Sequence, residues 1–110
     1  MFGIEKAKQN AERTQAAIAP AIDVYENDTE LLLLADVPGV AQNDATVTFE
    51  HDRLLIEAKA KERTYRRELV VPRTIDGEKV SANLRAGVLS VRLPKRAQYQ
   101  PRQIPVQGSS

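Results

Sequence analysis

His51 sits between two carboxylates, Glu50 and Asp52, and this triplet is the local arrangement most suited to moving protons. Acid–base or nucleophilic catalysis needs a nucleophile and an orienting partner converging in a pocket. Neither a Gly-x-Ser-x-Gly elbow nor a comparable element is present, so a solvated histidine in a tight turn is the expectation. One His without any Cys leaves a conventional zinc site short of ligands. The glycines stand isolated at positions 3, 39, 77, 87 and 108, not in a phosphate-cradling loop. No catalytic residue, cofactor or metal is therefore assigned. Arg66-Arg67 and Lys59-Ala60-Lys61 could touch phosphate, but short charged stretches on strands are usually solvated faces. The 16 basic and 15 acidic residues balance to +1 and the basic ones are scattered, which argues against a nucleic-acid partner.

What remains is apolar docking. Near the C-terminus, Ile104-Pro105-Val106 carries two branched side chains two residues apart, so in extended backbone they point the same way. Pro105 fixes its own φ and biases Ile104 toward β geometry. Such a peptide is partly pre-organised to lie along a sheet edge. Burying both side chains is worth about 3 to 6 kcal/mol gross, before ordering of the tether is subtracted. A single contact is then weak and reversible, whereas contacts repeated around an assembly become strong together. The alternative is a tail that packs on its own domain or hangs free.

The elements that must position such a contact follow from size and patterning. At 110 residues and 12.2 kDa the chain has room for one small core. With two Phe, three Tyr and no Trp that core relies on Val, Leu and Ile. The absence of Cys fits a reducing compartment. The first eight residues lack an apolar stretch of signal-peptide length, and Leu31 to Ala35 is far below the ~20 residues that span a bilayer. A cytoplasmic protein without a membrane partner is expected.

Residues 2 to 18 are rich in Ala, Lys, Glu and Gln, with Ile4, Ala7, Ala11 and Ile18 loosely on one face. This predicts a weak helix in a short arm over 1–20, closed by Pro20. From Ala21 the period becomes two: Ile22 and Val24 alternate with polar or amphipathic neighbours, and Asn27-Asp28-Thr29 turns into the Leu31–Leu34 run. Pro38-Gly39 suits a type II turn. Val47 and Phe49 alternate before the His51-Asp52 turn, and Leu54 to Ala60 runs back. Tyr65 to Val71, Val80 to Leu84 and Val88 to Leu93 complete the set, with Gly87 supplying a positive φ between the last two. Seven or so short strands with frequent turns describe an all-β, immunoglobulin-like antiparallel sandwich over 21–95. Residues 96–110 read as a flexible extension. If free, the polar stretch from Arg96 to Gln103 has an r.m.s. reach of roughly 16 Å and stretches to about 25 Å.

Ala21 to Lys95 resembles the α-crystallin domain of the small heat-shock proteins. The resemblance rests on Ala21-Ile22-Asp23-Val24-Tyr25-Glu26, on Asp36-Val37-Pro38-Gly39-Val40, on Ala86-Gly87-Val88-Leu89 with Leu93-Pro94-Lys95, and on the tail triplet 104 to 106. It implies dimers and larger homo-oligomers that hold unfolding client proteins soluble without ATP hydrolysis. It also implies that the triplet docks between strands 45–50 and 80–84 of a neighbouring subunit. Val47, Phe49, Val80, Ala82, Leu84, Val88 and Val91 are the candidate groove residues, with the core as their alternative place. Arg67 matches an arginine at the family's dimer contact; alternatively its stem covers the sheet with its head in water. Members with a swapped strand carry a long loop where this chain has Lys61 to Thr64. Others lengthen the strand matching 65–71, so the dimer mode stays open. A co-chaperone adaptor of the CS-domain kind and a self-assembling accessory subunit are the rival readings.

Overall fold

Alternation of branched apolar and polar residues makes a strand wherever one face can be buried, and the chain does this seven times. The computed structural model describes residues 17–108. The strands are β1 (Ile22–Glu26), β2 (Glu30–Asp36), β3 (Ala45–Glu50), β4 (Arg53–Lys59), β5 (Thr64–Val70), β6 (Ser81–Arg85) and β7 (Val88–Pro94). They form two antiparallel sheets, of order β1-β2-β7-β6 and β3-β4-β5, packed as an immunoglobulin-like sandwich. No helix of the described residues is long and apolar enough to cross a membrane.

Register decides which residues meet between the sheets. Leu33 and Ala35 of β2 lie opposite Val91 and Leu89 of β7, and all four are buried. In the other sheet Leu54, Ile56 and Ala58 of β4 are buried, with Tyr65 of β5 opposite Ala58. Leu32 and Leu34 have the opposite parity and lie half-buried on the outer face. The unbroken leucine run therefore serves two faces, as its lack of alternation requires.

Turn chemistry fixes the connections. Asn27 Oδ1 accepts from the N–H groups of Thr29 and Glu30, at 2.9 and 2.8 Å, and so shapes the β1–β2 turn. At Pro38-Gly39 the Val40 N–H donates to Val37 O at 3.3 Å, with Gly39 at φ +84°. This is type II geometry. Between β6 and β7, Ala86 (φ 50°) and Gly87 (φ 77°) are both left-handed, as a two-residue type I′ hairpin demands. The two turns interlock: Val37 N–H donates to Gly87 O at 2.8 Å, and Tyr65 O–H donates to Pro38 O at 3.2 Å.

Two stretches differ from the sequence expectation. The helix expected over 2–18 lies outside the described residues except for its last two positions, and there Ile18 is extended, forming a parallel bridge to Tyr65. A sheet edge offers hydrogen bonds that a lone alanine-rich turn cannot match. The start of the extension is also not a free tether. Residues Ala97–Tyr99 form a 3-10 turn, Arg96 N–H donates to Thr74 O at 2.7 Å, and Gln100 Nε2 donates to Lys95 O at 2.7 Å.

The interlocked turns yield a direct stability test. A Cβ on Gly87 would meet Pro38 Cα at 3.2 Å and sit in left-handed backbone, whereas one on Gly108 meets nothing within 4 Å. Gly87→Ala is expected to lower unfolding free energy by about 1 to 3 kcal/mol in urea melts, with Gly108→Ala unchanged.

Candidate functional site

A sandwich of two open sheets ends in strands whose inner side chains have neighbours on one side only. β3 closes one sheet and β6 the other. They lie on the same side of the molecule: Gly77, in the turn leading into β6, is so near β3 that a Cβ there would stand 2.5 Å from Phe49 Cε1. On the opposite side β5 approaches the start of β1, where Arg67 Nη1 donates to Pro20 O at 3.3 Å.

Between β3 and β6 the inner-face apolar residues border the open side of the sandwich, the candidate slot. Val47 and Phe49 stand opposite buried Ile56 and Leu54, yet are themselves only partly buried against the core. Val80 and Leu84 do the same across the gap. Ala82 shares their parity, opposite Val91, and is exposed. Ala45, which sequence reasoning did not single out, belongs with this set. Its signal was parity with Val47 and Phe49. Gly77 was likewise missed as the residue that makes room for the Phe49 ring.

Two of the candidate groove residues lie elsewhere. Val91 is 0% exposed and stands in the core, flanked on both sides by β2 and β6. Val88 points to the outer face, paired with Asp36 and Arg85. The cause is register: Val88 and Val91 are three apart on one strand, so they cannot share a face.

Phe49 also lines a depression of about 520 Å³, together with Pro72, Arg73, Ile75, Arg96 and Tyr99 among others. His51 also borders it, with φ 59° in the β3–β4 turn and its ring against exposed Glu50 at 3.8 Å. Among the described residues no nucleophile shares a hydrogen bond with it. On the outer face, Glu68, hydrogen-bonded at 2.8 Å, raises the Arg53 guanidinium above its ordinary value, with Asp52 adding to the effect.

The tail triplet is outside the slot of its own chain. Ile104 is 75% and Val106 94% exposed. Because residues up to Gln100 are held, the free tether runs only from Pro101 to Gln103, and Ile104 can lie at most roughly 14 Å from Gln100. Arg67 is half-buried on the inner face opposite Ile56, its head directed to the Pro20 carbonyl. Among the described residues no carboxylate pairs with it, so the carbonyl and solvent satisfy the charge in place of an acid.

Comparison with known proteins agrees with this geometry. A family model described as the Hsp20/alpha crystallin family matches residues 23–107. Spore protein SP21 of Stigmatella aurantiaca is 35% identical over 109 residues, covering 84% of this chain and 64% of that protein. A probable 15 kDa heat shock protein of Leptospira interrogans is 31% identical, with 72% of each chain covered. This chain thus spans about two thirds of the length of these relatives. Among solved structures, a small heat-shock protein from Xylella fastidiosa superposes with a TM-score of 0.69 at 27% identity, covering 84% of this chain and all of that one. Heat shock protein 16.0 from Schizosaccharomyces pombe gives 0.65 at 27% identity, with 82% and 99% covered. With a matching model over most of its length, two interlocked signature turns and a seven-stranded sandwich, the chain belongs to the Hsp20/alpha-crystallin family of small heat-shock proteins.

Proposed function

We infer that this protein is an ATP-independent holdase: it assembles with copies of itself and binds segments of unfolding proteins before they aggregate. The observation that carries the reading is a pairing of features within one chain: Ile104 and Val106 are presented to solvent, while Val47, Phe49, Val80 and Leu84, on the two strands that border the open side of the sandwich, are only partly buried. An exposed apolar triplet and incompletely buried apolar strand edges on the same chain favour docking of the triplet between β3 and β6 of a neighbouring subunit.

Capture and assembly then use the same surface. A docked triplet buries two branched side chains worth about 3 to 6 kcal/mol gross, weak enough to open on heating or dilution. An opened slot offers partly buried apolar residues and two strand edges to any extended apolar segment. Nothing in this cycle breaks a covalent bond. Arg67 is the candidate contact on the opposite side of the sandwich, where its charge has no acidic partner among the described residues.

Two experiments test the reading. The double change Ile104→Ala and Val106→Ala is expected to lower the molar mass measured by light scattering several-fold with no change in far-UV circular dichroism; an unchanged mass refutes tail docking. Heating an unrelated aggregating protein with equimolar chain is expected to suppress turbidity equally with and without ATP. Inactivity toward several such proteins would instead favour an adaptor or accessory subunit.

A further inference from the structure

The depression beside Phe49 is framed by segments that backbone bonds hold in place. Val71 N–H donates to Asp52 O at 2.7 Å, Arg96 N–H to Thr74 O at 2.7 Å, and Tyr99 N–H to Arg96 O at 2.8 Å. Buried Ile75 gives it an apolar base, with the Phe49 and Tyr99 rings beside it. Arg73 and Arg96 line it as well, and both are exposed. Among the described residues neither guanidinium has a hydrogen-bond or carboxylate partner, whereas Arg53, Arg66 and Arg92 each pair with a glutamate. Asp52 is the single carboxylate of the lining, and part of its field goes to Arg53, whose guanidinium it helps to raise. The surface is thus apolar at its base and carries two unpaired positive charges at its rim.

We propose that this depression selects extended client segments that carry a carboxylate beside an apolar pair. The inference rests on the holdase reading above and names the class of segment it favours. Phe49 belongs both to the apolar row of β3, with Val47, and to the lining of the depression. A segment lying along β3 with its apolar side chains on Val47 and Phe49 advances about 3.3 Å per residue. Two residues past Phe49, in the direction of His51, its next side chain on that face stands over the depression. A Glu or Asp there meets guanidinium groups whose donors suit a carboxylate and are otherwise unused, and a Lys there is repelled. The tail of a second copy does not supply this match, because residues 101–108 carry Arg102 and no carboxylate. A tail can therefore cover the apolar row but leaves both arginines unpaired, while an acidic client segment covers the row and gains the charged contact. Competition for β3 is biased in this way toward acidic clients, although tail and client make the same kind of apolar contact.

The test measures binding of short peptides to the full chain by fluorescence anisotropy with a neutral dye. Each peptide carries Ile-Pro-Val followed by Ser and then Glu, Gln or Lys; a second set places the variable residue two positions before the triplet, since a segment can lie along β3 in either direction. In at least one set the Glu peptide should bind about three- to five-fold tighter than the Gln peptide, and the Lys peptide should bind weakest. The gap should close in 1 M sodium chloride, where the screening length falls to about 3 Å. It should also close in the double variant Arg73→Gln and Arg96→Gln, and persist in Lys61→Gln with Arg63→Gln, which removes the same charge from the β4–β5 connection. Equal binding of the Glu and Gln peptides in both sets overturns this inference and leaves tail docking standing. A gap that survives loss of Arg73 and Arg96, or that closes equally in the control variant, overturns it too, because the charge effect then lies elsewhere on the surface. Failure of every peptide to bind overturns the docking reading together with this one.

Discussion

An open β-sheet cannot satisfy its outermost strands from within, and the behaviour of this molecule follows from that limit. Central strands have a neighbour on each side and a sheet above, so Leu54, Ile56 and Val91 are wholly buried. Edge strands have half of each. Their inner side chains keep part of their surface wet, leaving on the order of 1 kcal/mol per residue of hydrophobic stabilisation unclaimed, and their outward amides face water or another chain. The chain meets this in three ways. Ile18 straps β5, the inner apolar residues of β3 and β6 stay partly exposed, and the outward amides of β1 have no partner among the described residues.

Small size sharpens the constraint. A domain of this length buries a modest share of its surface, and its core is built from aliphatic side chains and one buried tyrosine. Stability therefore leans on backbone precision at the interlocked turns, where Val37, Pro38 and Gly87 meet and Tyr65 adds a bond worth about 1 kcal/mol. The ion pairs of the outer faces, Arg53–Glu68 and Arg92–Glu30, join neighbouring strands but are largely solvated, so they contribute little. The motifs that carry the family resemblance, residues 36–40 and 86–89, lie far apart in sequence and touch in the fold. That contact explains why both a proline-glycine and an alanine-glycine pair are needed.

Much of the fold was legible because its rules are local. Period-two alternation announced the strands, and Asn27, Pro38-Gly39, His51-Asp52 and Ala86-Gly87 marked turns whose φ values only a few residue types accept. What failed were statements about neighbours. Val91 was weighed as groove or core and proved core; Val88 proved to face outward, although both sit on a strand that was read correctly. Ile18 looked helical in isolation and is extended because β5 offers it hydrogen bonds. The stretch 97–99 looked featureless and is pinned by the Thr74 and Lys95 carbonyls.

The amino-acid order alone determined seven short strands, the turns between them and a pre-organised apolar triplet, because each depends on dihedral preference and spacing along the chain. Only the tertiary structure decided which strands became edges, which alternate residues faced the slot and not the core, and where the tail stopped being held. Those outcomes depend on sheet order and register, which are set by pairings between residues as far apart in sequence as Glu30 and Pro94. No local window of sequence contains that information.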